Sequence, residues 1–176
     1  CQCPRPSGAG WREVTYASSL DKVRAIGSSL LARGMNEKTP VVILSGNSID
    51  HGLLALATQY VGVPVGPVAE QYSLIPGAHN SLKQIIELVR PSMVYVSDVT
   101  QYAQALELDC LDGLEVVASR AGNGGATPFT DLEKGQAGLA ALKDDKGLIF
   151  KAASEAQKAV DYIMAAAEAT TQEAAA

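Results

Sequence analysis

The sequence predicts an α/β fold, a mostly parallel sheet flanked by helices. Residues 41–68, VVILSGNSIDHGLLALATQYVGVPVGPV, contain an apolar β-branched run, a Gly-Asn-Ser turn, a stretch with apolar residues three and four apart, and a second apolar run. That succession is the pattern of a βαβ unit. The same alternation of helical and extended spacing recurs through the rest of the first 120 residues, and right-handed crossovers between parallel strands connect such a series most simply.

Residues 1–10 carry two prolines, two glycines and little to bury, so they read as a loose arm. Residues 11–16, WREVTY, alternate as a short strand does. A helix follows from about Tyr16–Ser18, with Leu20, Val23, Ile26, Leu30 and Leu31 on one face, and Gly34 ends it. Val41–Leu44 is a continuous apolar run, suited to a strand covered on both faces. Asn47 and Ser48 are good N-caps for the next helix. Its apolar face is read as Ile49, Leu53, Leu56, Ala57 and Tyr60, with Gly62 as its left-handed terminator. Pro64 and Pro67 make the strand around Val63–Val68 short or an edge.

Residues 69–78 read as a loop, punctuated by Pro76 and Gly77. A helix capped by Asn80 or Ser81 buries Leu82, Ile85, Ile86 and Val89, and Pro91 prevents its continuation. Met93–Val96 is a strand, Ser97 and Asp98 cap a brief helix to about Leu106, Leu114–Ala118 is another strand, and AGNGG at 121–125 is a loop. From Gly135 the chain becomes rich in alanine. There Leu148, Ile149, Ala153, Ala156, Val160, Ile163, Met164 and Ala167 form one side of a predicted C-terminal helix. The organisation expected is therefore a flexible arm (1–10), an α/β subdomain (11–134) and a helical tail (135–176).

With 176 residues, 47% hydrophobic, and a net charge of −5, the chain has the makings of one globular domain and no basic surface to attract nucleic acid or an anionic membrane. Neither partner is expected. Its three cysteines, Cys1, Cys3 and Cys110, lack the paired spacing of a zinc site, and His51 and His79 lie apart from them. They read as reduced thiols. No transmembrane run or signal-peptide core is visible, so a cytoplasmic location is expected. The absence of an initiating methionine suggests that Cys1 is not a natural translation start.

Several strings carry a family resemblance. GWREVTY at Gly10–Tyr16, SGNSIDH at Ser45–His51 with the following LLALATQYVGVPVGPV, YSL at Tyr72–Leu74 and TPFTDL at Thr127–Leu132 resemble the N-terminal region of adenylate-forming acyl-CoA synthetases, most of all the feruloyl-CoA synthetases. The resemblance spans about residues 10–133. It implies part of the large domain of an enzyme that joins a carboxylate to ATP, passes the acyl group to coenzyme A and releases AMP and pyrophosphate. ATP, magnesium and coenzyme A are the cofactors of that complete parent.

The family's phosphate loop, TSGSTG-x-P-K-G, should follow the TPFTDL-like segment. The chain instead reads EKGQAGLAALKDDKGLIFKAASEA from Glu133, with Gly135, Gly138 and Gly147 scattered and no Ser/Thr-Gly cluster. The small C-terminal domain with its catalytic lysine has no counterpart either. Lys143, Lys146, Lys151 and Lys158 therefore inherit no role. No catalytic, cofactor-binding or metal-binding residue is assigned to this chain.

The other local signals are weak. SGNS joins a strand to a helix N-terminus, as phosphate cradles do, but lacks the length and Lys-Ser/Thr ending of a P-loop. Ser45 and Ser48 lack a nucleophile elbow. His51 reads as a half-exposed histidine bonded to nearby backbone, Asp144 and Asp145 with Lys143 and Lys146 as a solvated loop, and Ala121–Gly125 as a loop rather than an anion nest.

Two readings of different class remain. One is an N-terminal segment of a ligase, inactive alone. The other is a non-catalytic α/β binding or interaction module on the same scaffold. Self-association through an unpaired sheet edge or the C-terminal helix is the association left open.

Overall fold

The computed structural model describes residues 2–4, 11–122 and 125–135. Its centre is a five-stranded, all-parallel sheet in the order β4-β3-β5-β6-β7. The strands are β3 (Val41–Ile43), β4 (Val65–Pro67), β5 (Met93–Asp98), β6 (Glu115–Arg120) and β7 (Thr127–Pro128). β3 pairs with β5 in the register Val41↔Met93, and β5 with β6 as Met93↔Glu115. The α/β expectation holds. The alanine-rich tail and its predicted helix lie outside the described residues.

Because side chains alternate across a strand, the apolar runs are split between two layers. Val41, Ile43, Met93, Tyr95 and Val117 face α1 (Tyr16–Ala32), α2 (Ile49–Tyr60) and α6 (Phe129–Leu132). Val42, Leu44, Val94, Val96 and Ala118 face the other layer, containing α4 (His79–Val89) and α5 (Ala103–Leu106). Burial on both faces explains why these strands read as continuous rather than alternating.

The helix α1 begins where the sequence placed it, with Thr15 accepting from the Ser18 backbone N–H as N-cap. Val23, Ile26 and Leu30 are buried, whereas Leu20, expected on the same face, is 43% exposed. α1 and α2 approach closely at Gly27, where an added Cβ would lie 2.8 Å from Val61 Cγ1. On α2 the buried residues are Leu53, Leu54, Ala57 and Thr58, and Leu56 is 54% exposed. The expected face is thus rotated: α2 must cover the sheet and also meet α1, and the LLALA run offers apolar residues on both flanks of the Leu53–Ala57 line.

Five local expectations need correction. Residues 2–4, expected as loose arm, form β1 (Gln2–Pro4), antiparallel to β2 (Trp11–Glu13). That strand stops at Glu13, because Thr15 is already needed as a cap. The presumed loop 69–78 includes α3 (Gln71–Leu74) and a 3-10 turn at Pro76–Ala78, which runs directly into α4 at His79. Neither Asn80 nor Ser81 caps α4. Finally, β5 continues through Asp98, so the expected brief helix is limited to Ala103–Leu106.

β4 is an edge strand, as its prolines suggested. The Val68 N–H donates inward to Ile43 O at 2.8 Å, so alternation turns position 67 outward. Pro67 has no N–H to offer there, and this blunts the edge against strand addition.

Candidate functional site

In doubly wound sheets, ligands bind beyond the carboxyl ends of the strands where the strand order reverses. Here the reversal occurs at β3, which has β4 on one side and β5 on the other. The loops leaving β3, β4, β5 and β6 at that end bring together residues 45–51, Glu70, Asp98, Tyr102, Ser119 and Arg120.

The β3–α2 turn is built as a tight strand-to-helix junction. Ser48 Oγ accepts from the His51 backbone N–H at 3.1 Å and is the N-cap. His51 lies half-buried with Nδ1 3.2 Å from Gly46 O. Since a carbonyl only accepts, Nδ1 carries the proton, and the ring is tied to backbone as the sequence suggested. Ser45 is 2% exposed and its Oγ has no hydrogen-bond partner. Among the described residues no base bonds to it, so they supply no nucleophile–base pair at this turn.

Two polar contacts over this turn were not foreseen. Tyr102, fully buried, donates its hydroxyl to Glu70 Oε1. The other oxygen, Glu70 Oε2, lies 2.7 Å from where a Cβ on Gly46 would be. A side chain at position 46 would have to displace this carboxylate from its bond to Tyr102. Beside it, Ser119 Oγ donates to Asp50 Oδ2 at 2.7 Å and lies 2.7 Å from Tyr95 OH. A serine has one proton, so Tyr95 donates to Ser119 and Ser119 to Asp50. Asp50, in the first turn of α2, adds a favourable charge at the helix N-terminus. Tyr95 is fixed from below by an edge-to-face contact with Phe129, with centroids 5.6 Å apart.

Asp98 and Arg120 are register partners at the ends of β5 and β6, bonded at 2.8 Å. Burial opposes ionisation of Asp98, but the Thr100 N–H and the Arg120 guanidinium outweigh it and hold the carboxyl below its usual range. Such a group lends stability above the unfolded-state pKa and loses it as pH falls through the folded value. Arg120→Ala should therefore move the Asp98 titration upward, read by carbon NMR of its carboxyl. An unmoved titration would assign the depression to the backbone N–H groups of Thr100 and Gln101.

The chemistry of this end is acidic: Asp50, Glu70 and Asp98 converge on it, and Arg120 is already paired. Phosphate groups would meet carboxylates rather than N–H donors or free cations, so the described residues do not fit ATP. Among them no group of three or more His, Cys, Asp or Glu is placed to hold a metal ion. The AGNGG loop keeps Gly122 and Gly125 at positive φ, and its middle lies outside the described residues, as do Lys143–Lys146. A separate concavity of about 530 Å³, lined by Ile86, Arg90, Pro91, Cys110 and Leu114, lies at the opposite end of the sheet. Cys110 there is a free thiol, pushed upward in pKa by burial and by Asp109, hence unreactive near neutrality. Among the described residues, no helix is long and apolar enough to cross a membrane.

The Glu70–Tyr102 and Tyr95–Ser119–Asp50 contacts join residues far apart in sequence. A tyrosine within the apolar MVYV run and a serine two residues beyond Val117 on the same strand were the available signals.

None of the curated protein sequences matches this chain. The fold is similar to that of a protein from Rhodopseudomonas palustris described as a long-chain-fatty-acid CoA ligase, with a TM-score of 0.58 and 25% identity, covering 71% of this chain and 30% of that one. It is also similar to the luciferase-like enzyme of the mealworm Zophobas morio (TM-score 0.58, 18% identity, 69% and 28% covered). A benzoate CoA ligase from Burkholderia xenovorans gives 0.55 at 17% identity, with 70% and 23% covered. This chain thus spans less than a third of each of those proteins. The family pattern described as "AMP-binding enzyme" matches residues 4–164, most of the sequence and beyond the TPFTDL segment, and the chain therefore belongs to that family.

Proposed function

We propose that this chain is the N-terminal α/β segment of an adenylate-forming acyl-CoA ligase, one that activates an aromatic carboxylate of the feruloyl type. The observation that carries the reading is the family match over residues 4–164, together with the five-stranded parallel sheet shared with the R. palustris ligase. The GWREVTY, SGNSIDH and TPFTDL strings favour feruloyl-type acids over the fatty acids or benzoate named for its structural neighbours. The segment's role is architectural: it supplies a rigid parallel sheet against which the nucleotide-binding part of the enzyme is built. Residues 1–176 alone catalyse no adenylation, because the acidic switch-point end repels phosphate and no phosphate-loop string follows TPFTDL. The setting proposed is cytoplasmic, without nucleic-acid or membrane partners.

The test is ATP–pyrophosphate exchange by the purified chain with ferulate and magnesium, with ATP binding followed calorimetrically in the same preparation. No exchange and no heat of binding are expected. Ferulate-dependent exchange would overturn the inactivity and place an adenylation site among residues read here as structural.

A further inference from the structure

On the α4–α5 side of the sheet, no element among the described residues covers the β6–β7 end. Val99, Leu106, Leu114, Val116 and Ala126 are each half-buried and line a groove of about 420 Å³, with Glu107 on its rim. The opposite face of the same strands is closed by α6, whose Phe129 and Leu132 are buried. A sheet covered on one face and apolar on both requires a second cover.

We propose that the cover is a segment of this same chain, residues 148–167. Three observations select it. The described chain ends at Gly135, wedged on α1: an added Cβ would lie 2.3 Å from Ala25 O. Since α6 follows β7 directly, that end lies close to the β7 edge. Residues 136–147 then number twelve and reach at most about 40 Å, ample to pass around a two-residue edge strand to the other layer. Beyond them, Leu148, Ile149, Ala153, Ala156, Val160, Ile163, Met164 and Ala167 form a stripe about 30 Å long at helical rise. It is the longest apolar stripe that the described core does not already use. A tethered segment also acts at an effective concentration in the millimolar range, which favours it over a second copy of the chain at ordinary concentrations.

Disulfide trapping in the full chain tests this, with Cys1, Cys3 and Cys110 replaced by serine. Glu107→Cys with Val160→Cys should form an intramolecular disulfide at least about tenfold faster than Leu56→Cys with Val160→Cys, because Leu56 lies on the opposite layer. Equal rates, or disulfides formed only between chains, would overturn the proposal; the second result would assign the groove to another copy. As a separate readout, Val160→Glu should raise the binding of an apolar fluorescent dye and speed hydrogen exchange at Val116 and Ala126. Unchanged dye binding and exchange would also overturn it.

Discussion

Leu54→Ala lowers the unfolding free energy by about 2–5 kcal/mol, as cavity-forming substitutions of buried leucine do. Leu56→Ala, two residues away on the same helix, changes it by less than about 0.5 kcal/mol. Leu54 is fully buried between α2, the sheet and α1, while Leu56 is 54% exposed. Against the 5–15 kcal/mol typical of a domain, the first loss is large enough to leave part of the population unfolded at 37 °C. Urea titrations give the comparison: the midpoint of Leu54→Ala falls sharply with an unchanged m-value, and that of Leu56→Ala stays with the parent. Equal losses at the two positions would mean that α2 is rotated toward the face its sequence first suggests.

That pair also shows where sequence reading stops. The Val41–Leu44 and Met93–Val96 runs identified buried parallel strands because burial on both faces leaves a one-dimensional record, an unbroken apolar run. Gly34 and Gly62 marked helix ends for the same kind of local reason: both adopt positive φ, where glycine carries no Cβ penalty. In LLALA, by contrast, the apolar residues cover more than half of the helix circumference, and the choice between Leu54 and Leu56 is made by α1, which packs from one side. Leu20 fails likewise, since its spacing fits the stripe but α1 extends past what it could cover.

The switch-point end was less legible than the strands. Ser48 and His51 were read correctly because a cap and its return bond lie within one turn. Glu70 bonded to Tyr102, and Asp50 bonded to Ser119, are separated by 32 and 69 positions. No local periodicity announces them. What the sequence did show, the missing phosphate-loop string, and what the fold adds, three carboxylates at the end of the sheet, bear on the same question independently. One concerns residues after Leu132 and the other residues before Arg120.

Removing the carboxylate that sits on the β3–α2 turn is the second large effect. Glu70→Ala leaves the buried Tyr102 hydroxyl without its acceptor, and an orphaned buried donor costs about 1–3 kcal/mol. Tyr102→Phe removes the donor instead; the half-buried Glu70 can turn to water, so the loss is about 0.5–1.5 kcal/mol. The double variant should fall short of the sum, since the two residues share one interaction. Gly46→Ala distinguishes this from ordinary packing. In the parent, the new methyl meets a carboxylate held 2.7 Å away; in the Glu70→Ala background that obstacle is gone and the substitution becomes nearly neutral. The pair also has a pH signature. Burial, reinforced by Glu70, pushes the Tyr102 phenol from its ordinary 10 up to about 12. The folded state then holds the proton more tightly than the unfolded state, so its contribution is complete below pH 10 and is lost as pH rises toward 12. Alkaline titration of stability should show that decline, on the order of 1 kcal/mol after solvent screening, in the parent and not in Tyr102→Phe. Superimposable alkaline profiles for the two proteins would mean that the Glu70–Tyr102 contact does not hold the turn, and that the acidic lining of the switch point is free to open.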